Sequence, residues 1–230
     1  ARGLAVADAA LEVVRQRVAA LDEAALGALS NAAVIGRSFE LPLLQAVTGR
    51  EASALMSRLD AALAAEVLVG VADSRTCFRF GHELLRNVLY EALAPAERRK
   101  CHLEIARALE QRAQSGVKVP LAELAFHFHA ALPDSDLNNT VKYCAQAAEA
   151  AASVSAYPDA VRFYRQARQA LDLKPDASPD LRLSLMFGEA LCGRVCADPD
   201  FESLVRDTIQ LARERGAGAP LARAALLLDV

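Results

Sequence analysis

The side chains here that could do chemistry are four histidines, five cysteines and a few clustered cations. His82 draws attention first. It follows the alternating run Phe78-Arg79-Phe80, which breaks at Gly81, and it opens the amphipathic stretch "HELLRNVLYEAL". A histidine at a strand-to-helix junction can offer a ring N–H to an anion, where the helix N-terminus adds its own positive end. It can equally bond local backbone and fix the turn. His127 and His129 are two residues apart, about 200° of rotation on a helix, so they cannot share a metal; one packed and one exposed ring is expected. His102, in "RRKCHLEIARALE", is expected to pack, pairing with Glu97 or Glu104 or touching the neighbouring hairpin.

Cys192 and Cys196 stand four apart on a helical stretch and could hold half a metal site, but no second His or Cys pair accompanies them. With Cys77, Cys101 and Cys144 they make an odd number without framework spacing, which reads as small, reduced, buried thiols. No metal site is expected. Arg98, Arg99, Lys100 and Arg107 form a basic cluster, but Glu97, Glu104 and Glu110 interleave with it, the pattern of a solvated helix face.

Catalytic signatures are missing from the sequence. It has no G-x-x-x-x-G-K-[ST], G-x-G-x-x-G, G-x-S-x-G or H-E-x-x-H, so no residue is assigned as catalytic and the chain is not expected to be an enzyme by itself. The 230 residues are 53% hydrophobic and 24% charged, with net charge −3, which argues against a general polyanion-binding surface. No apolar run suits a membrane span and no signal peptide opens the chain, so a cytoplasmic location is expected. The first residue is Ala1, and the chain closes on the apolar stretch "LARAALLLDV". Both ends read as cut from something longer.

The elements that must position these groups come from periodicity. Apolar spacing predicts helices over about 4–20, 22–35 with Asp22 as N-cap, a short one ending near Val47, and 51–66. "VLVGVADSRTCFRF" then predicts a hairpin, Val67–Val71 and Cys77–Phe80, about a turn at Asp73-Ser74-Arg75; no other β structure is expected. Helices follow over about 83–93, 95–114 with Pro95 in the first turn, and 121–131. Beyond "LPDSDLNN", with Asn138 or Asn139 as cap, the pattern becomes paired helices. Counting Val141 as the first position of a 34-residue tetratricopeptide frame, Ala148, Tyr157, Ala160, Tyr164 and Ala167 fall where small and large residues must alternate for two helices to touch. Phe201, Leu204, Thr208 and Leu211 echo them at a wider offset of 44, and 219–230 would start a third pair.

The expected fold is therefore mostly α: a winged-helix module with one small hairpin over 1–94, a helical linker over 95–136, and a solenoid of tetratricopeptide-like helix pairs over 137–230. The third helix, "EASALMSRLDAALAAE", would be the recognition helix of a DNA-binding wing, yet it sets one arginine against Glu51, Asp60 and Glu66. A major-groove helix needs more donors than that, so direct DNA binding by this segment is not expected.

The order of "LSNAAVIGRSFELPLLQAVTG", "FRFGHELLRNVLYEALAPAERRKCHLEIARALE", "LAELAFHFHAAL" and "YPDAVRFYRQARQAL" resembles the middle of STAND-type signal-transduction ATPases, specifically large ATP-binding LuxR-type regulators and cyclase-associated ATPases. The resemblance implies an upstream P-loop domain as partner, ATP or ADP bound by the full-length protein, and a protein or small-molecule inducer on the repeats. It also implies a role for His82, which matches a histidine that follows the wing's second strand and contacts the β-phosphate of ADP in the resting state. Gly81 stands where that motif has Met, and Glu83 where it has Asp. The alternative expectation is a repeat-type interaction scaffold with no coupling to nucleotide.

Overall fold

A computed structural model describes residues 16–72, 74–216 and 218. The chain is mostly helical with one small antiparallel sheet, and it divides into two compact units, Ala1–Gly116 and Val117–Val230. Most of the expected first helix, Asp73 of the expected turn, and the expected pair starting at 219 lie outside the described residues.

The first unit runs α1 (Glu23–Ile35), β1 (Ser38–Glu40), α2 (Leu41–Thr48), α3 (Ala52–Ala64), β2 (Leu68–Gly70), β3 (Cys77–Phe80), α4 (Glu83–Ala92) and α5 (Pro95–Gln114). Asp22 caps α1 as expected, its carboxylate accepting from the Ala25 N–H at 2.7 Å. The hairpin forms, but the sheet has a third strand that the sequence reading missed. β1 pairs with β3, so the order is β1-β3-β2 and "SFE" is strand rather than a lead-in to a helix. Three residues are too few to show an alternating pattern. Phe39 nevertheless turns inward, 5.8 Å from Phe78 and 6.0 Å from Phe80 between ring centroids. These rings join Leu29, Leu44, Leu55, Leu59 and Leu85, all at most 1% exposed, in one core.

Helix α5, expected to begin a linker, belongs with the first unit, where it packs on α1 and α2. Its start is built as the sequence suggests. Pro95 takes the first turn, and Glu97 reaches back to accept from the Ala94 N–H at 3.1 Å.

The second unit is a succession of helices, each packed chiefly on the next: α6 (Leu121–Ala130), α7 (Leu137–Ser153), α8 (Tyr157–Asp172), α9 (Pro179–Cys196) and α10 (Phe201–Glu214). Asp136, rather than Asn138 or Asn139, caps α7 by accepting from the Asn139 N–H at 2.8 Å; the helix begins at Leu137, so both asparagines lie inside its first turn. The small residues of the repeat frame sit at the helix contacts, with Ala148, Ala160 and Ala167 all fully buried. The wider 44-residue offset is absorbed by the connection 173–178 and by the 18-residue α9.

One contact between α8 and α9 is unusually close. A Cβ added at Gly188 would lie 2.6 Å from Cζ of the Tyr164 ring. Gly188→Ala is therefore expected to push the ring or the helix aside and lower the second unit's stability by about 1–3 kcal/mol, read by thermal unfolding.

Candidate functional site

His82 sits between β3 and α4 because the core fixes both neighbours. Phe80 is buried in the core, and Gly81 donates to the Val67 carbonyl at 3.0 Å. A Cβ on residue 81 would stand 3.0 Å from the Glu66 carbonyl oxygen, so glycine suits this close backbone approach. His82 is then the N-cap of α4, extended at φ −143° and ψ 146°, with Nδ1 accepting from the Leu84 N–H at 3.1 Å. That bond places the neutral ring's proton on Nε2. The ring is exposed. Both functions weighed for His82 are thus compatible: one ring nitrogen closes the turn while the other is a donor at the surface.

Around it, Glu83 pairs with Arg86 at 3.3 Å and with Arg37 at 3.9 Å. Arg86 also donates through Nε to the Ala33 carbonyl at 3.0 Å, tying α4 to α1. Arg37 was not a candidate in the sequence, since it reaches the His82 end only through the strand β1 that went unrecognised.

His102 Nε2 lies 3.2 Å from the Tyr90 hydroxyl, and the ring is 1% exposed. Arg86 and Arg98 stack on Tyr90, at 5.5 and 5.0 Å from its centroid. Burial, then the Arg86 and Arg98 charges, lower the His102 pKa to about 4. Two members of the basic cluster are paired: Arg98 meets Glu91 at 3.0 Å and Lys100 meets Glu104 at 4.0 Å.

In the second unit, His127 is buried and His129 is half-buried, its Nε2 3.1 Å from Gln169 Oε1. Burial lowers the His129 pKa despite that hydrogen bond. Of the five thiols, Cys101, Cys144 and Cys192 are buried, as expected, while Cys77 and Cys196 are half-buried. Cys101 donates to Asn31 Oδ1 at 3.2 Å, and burial with the Glu104 charge pushes it up to about 12. Burial pushes Cys144 up to about 12, and raises Cys192 with a further contribution from Cys196. Among the described residues no group of three or more His, Cys, Asp or Glu side chains could hold a metal ion, and no helix is long and apolar enough to cross a membrane.

No protein-family model, curated protein or solved structure matches this chain.

An ion-pair network that no spacing announced joins α8 to α9. Glu189 on α9, its side chain 3% exposed, accepts from Arg168 at 2.7 Å and from Arg165 at 3.1 Å, both on α8. Arg165 reaches on to Asp198 at 3.2 Å and Asp200 at 3.3 Å, in the turn before α10. Burial opposes the Arg165 charge, but Glu189, Asp198 and Asp200 outweigh it and raise its pKa. Beside this network opens a cleft of about 280 Å³, lined by Arg165, Arg168, Gln169, Asp172, Glu189, Asp200 and Leu204. Residues 165, 168 and 189 give no recognisable spacing. Only the pairing of α8 with α9 brings them together.

Proposed function

We propose that the chain is a non-catalytic regulatory segment of a multidomain signal-transduction ATPase of the STAND type. In this reading the first unit is a winged-helix module that faces an upstream nucleotide-binding domain. The second is a tetratricopeptide-like array that receives a protein or small-molecule inducer, and the two together shift that domain between closed ADP and open ATP states. The observation that carries the reading is His82. It stands at the N-terminus of α4, directly after the hairpin, exposed, with its Nε2 proton free of the cap. A phosphate oxygen placed there would meet an imidazole donor and the positive end of a helix, with Arg37 close by.

A scaffold reading without nucleotide has its own support. Leu181, Leu191 and Val195 recur along the exposed face of α9, 39%, 47% and 59% exposed, a surface suited to a protein partner. Equilibrium binding of fluorescent ADP separates the two. The regulatory reading expects tight binding by the full-length protein and none by residues 1–230 alone, which hold no phosphate-cradling loop. A full-length protein that fails to bind ADP or ATP leaves the scaffold reading standing and removes the regulatory one.

A further inference from the structure

We propose that the exposed ridge of α9 is a dimer interface, occupied by the same ridge of a second copy of the chain packed antiparallel about a two-fold axis. The face is the one that supports the scaffold reading. The dimer needs neither reading of function, since it lies wholly in the second unit and uses none of the groups around His82.

Spacing sets the ridge. Leu181, Ser184, Gly188, Leu191 and Val195 follow one another at steps of three and four, the a and d positions of a heptad pattern. The other faces of α9 already have partners within the chain. Glu189 meets the arginines of α8, while Met186 and Ala190 pack with Leu204 and Val205 of α10. The heptad face is left outside those contacts, with Leu181, Leu191 and Val195 all exposed. Together they make an apolar strip about 21 Å long at the helical rise of 1.5 Å per residue.

The missing side chain at Gly188 is supplied from α8. The Tyr164 ring crosses there so closely that a Cβ at 188 would stand 2.6 Å from its Cζ. The tyrosine remains half-buried, so an aromatic surface occupies the middle of the ridge, and aromatic rings are favoured anchors of interfaces.

Charge selects a second copy as the occupant. Asp180 and Arg194 each precede an a position, so they share one flank of the ridge, one near each end. Neither has an ion-pair partner among the described residues. In an antiparallel pair this flank faces its own counterpart, and Asp180 of one copy meets Arg194 of the other. The two-fold axis then repeats the pair, as an isologous interface requires. A parallel pair would instead set this flank against the e positions. Those are Leu185 and Cys192, both buried, and they offer no opposite charge.

Sedimentation equilibrium of the chain tests the dimer. A strip this narrow belongs with small, weak interfaces, so a dissociation constant on the order of 100 µM is expected. Leu191→Glu should weaken association at least about tenfold with the circular dichroism spectrum unchanged, and Val195→Glu should do the same. Asp180→Arg and Arg194→Asp should each weaken it by about threefold or more. Mixing these two single variants, or combining both changes in one chain, should restore the parent's constant, because every facing pair is again of opposite sign. A chain that stays monomeric at about 1 mM leaves the ridge to a different partner and overturns the proposal. A dimer undisturbed by both glutamate variants places the contact elsewhere and overturns it too. Charge variants that do not weaken association, or that weaken it without restoring one another, overturn the antiparallel pairing.

Discussion

Replacing Arg165 and Arg168 together with methionine is expected to destabilise the second unit by about 3–5 kcal/mol. The magnitude follows from which charge is left behind. Glu189 is 3% exposed, and these guanidinium groups, at 3.1 and 2.7 Å, are its ion-pair partners. Without them a carboxylate stays in a low-dielectric contact between α8 and α9, shielded from water and short of donors. The reverse change, Glu189→Gln, should cost far less, because both arginines keep access to solvent and Arg165 keeps Asp198 and Asp200. Adding Glu189→Leu to the double methionine variant should recover most of the loss, since an apolar trio of similar volume has no charge to desolvate. Hydrogen exchange of the α8 and α9 amides measures all three in the intact chain. Full stability of the double variant would show that water, not the arginines, solvates Glu189.

Lowering the pH should unfold the first unit through His102. The folded ring stays neutral down to about pH 4, whereas an unfolded histidine takes up its proton near 6.5. Between those values the unfolded state binds more protons, so stability is complete above 6.5 and falls as the pH drops toward 4. The full loss is on the order of 3 kcal/mol. Its cause is local. A charged His102 would be buried 1% exposed beside Tyr90, with the Arg86 and Arg98 guanidinium groups on the same tyrosine. His102→Gln keeps a partner for the Tyr90 hydroxyl and removes the titration. Its stability should therefore be flat where the parent's slopes, as measured by urea unfolding at a series of pH values. A His102 ring that titrates near 6.5 by NMR would contradict the burial argument.

How much of this was legible in the sequence depended on the distance over which each feature is encoded. Helix boundaries are local, and Asp22, Pro95 and the hairpin residues Cys77–Phe80 stood where periodicity and capping chemistry put them. The small residues Ala148, Ala160 and Ala167 were equally readable, because close helix contact requires them at that spacing. Strand β1 was hidden, since three residues carry no period and its pairing with β3 spans some forty positions of chain. The Arg165–Arg168–Glu189 network was hidden for the same reason: each residue looked like part of an ordinary polar helix face until two helices were set side by side. His102 was read as a packing residue, and its burial agrees; the contact with Tyr90 was not foreseen. Glu97 and Glu104 are near in sequence, whereas Tyr90 is brought close by the turn between α4 and α5.

His82 is proposed to serve a nucleotide held by a neighbouring domain as well as its own helix. The two roles separate cleanly in His82→Asn. Asparagine is a good N-cap, so the variant keeps the bond to the Leu84 N–H and the stability of α4, but it presents no imidazole Nε2–H. The decisive measurement is the dissociation rate of ADP from the full-length protein. The rate is expected to be about tenfold or more faster in His82→Asn, with unfolding unchanged. An ADP dissociation rate equal to that of the parent would contradict it and leave His82 as a helix cap alone.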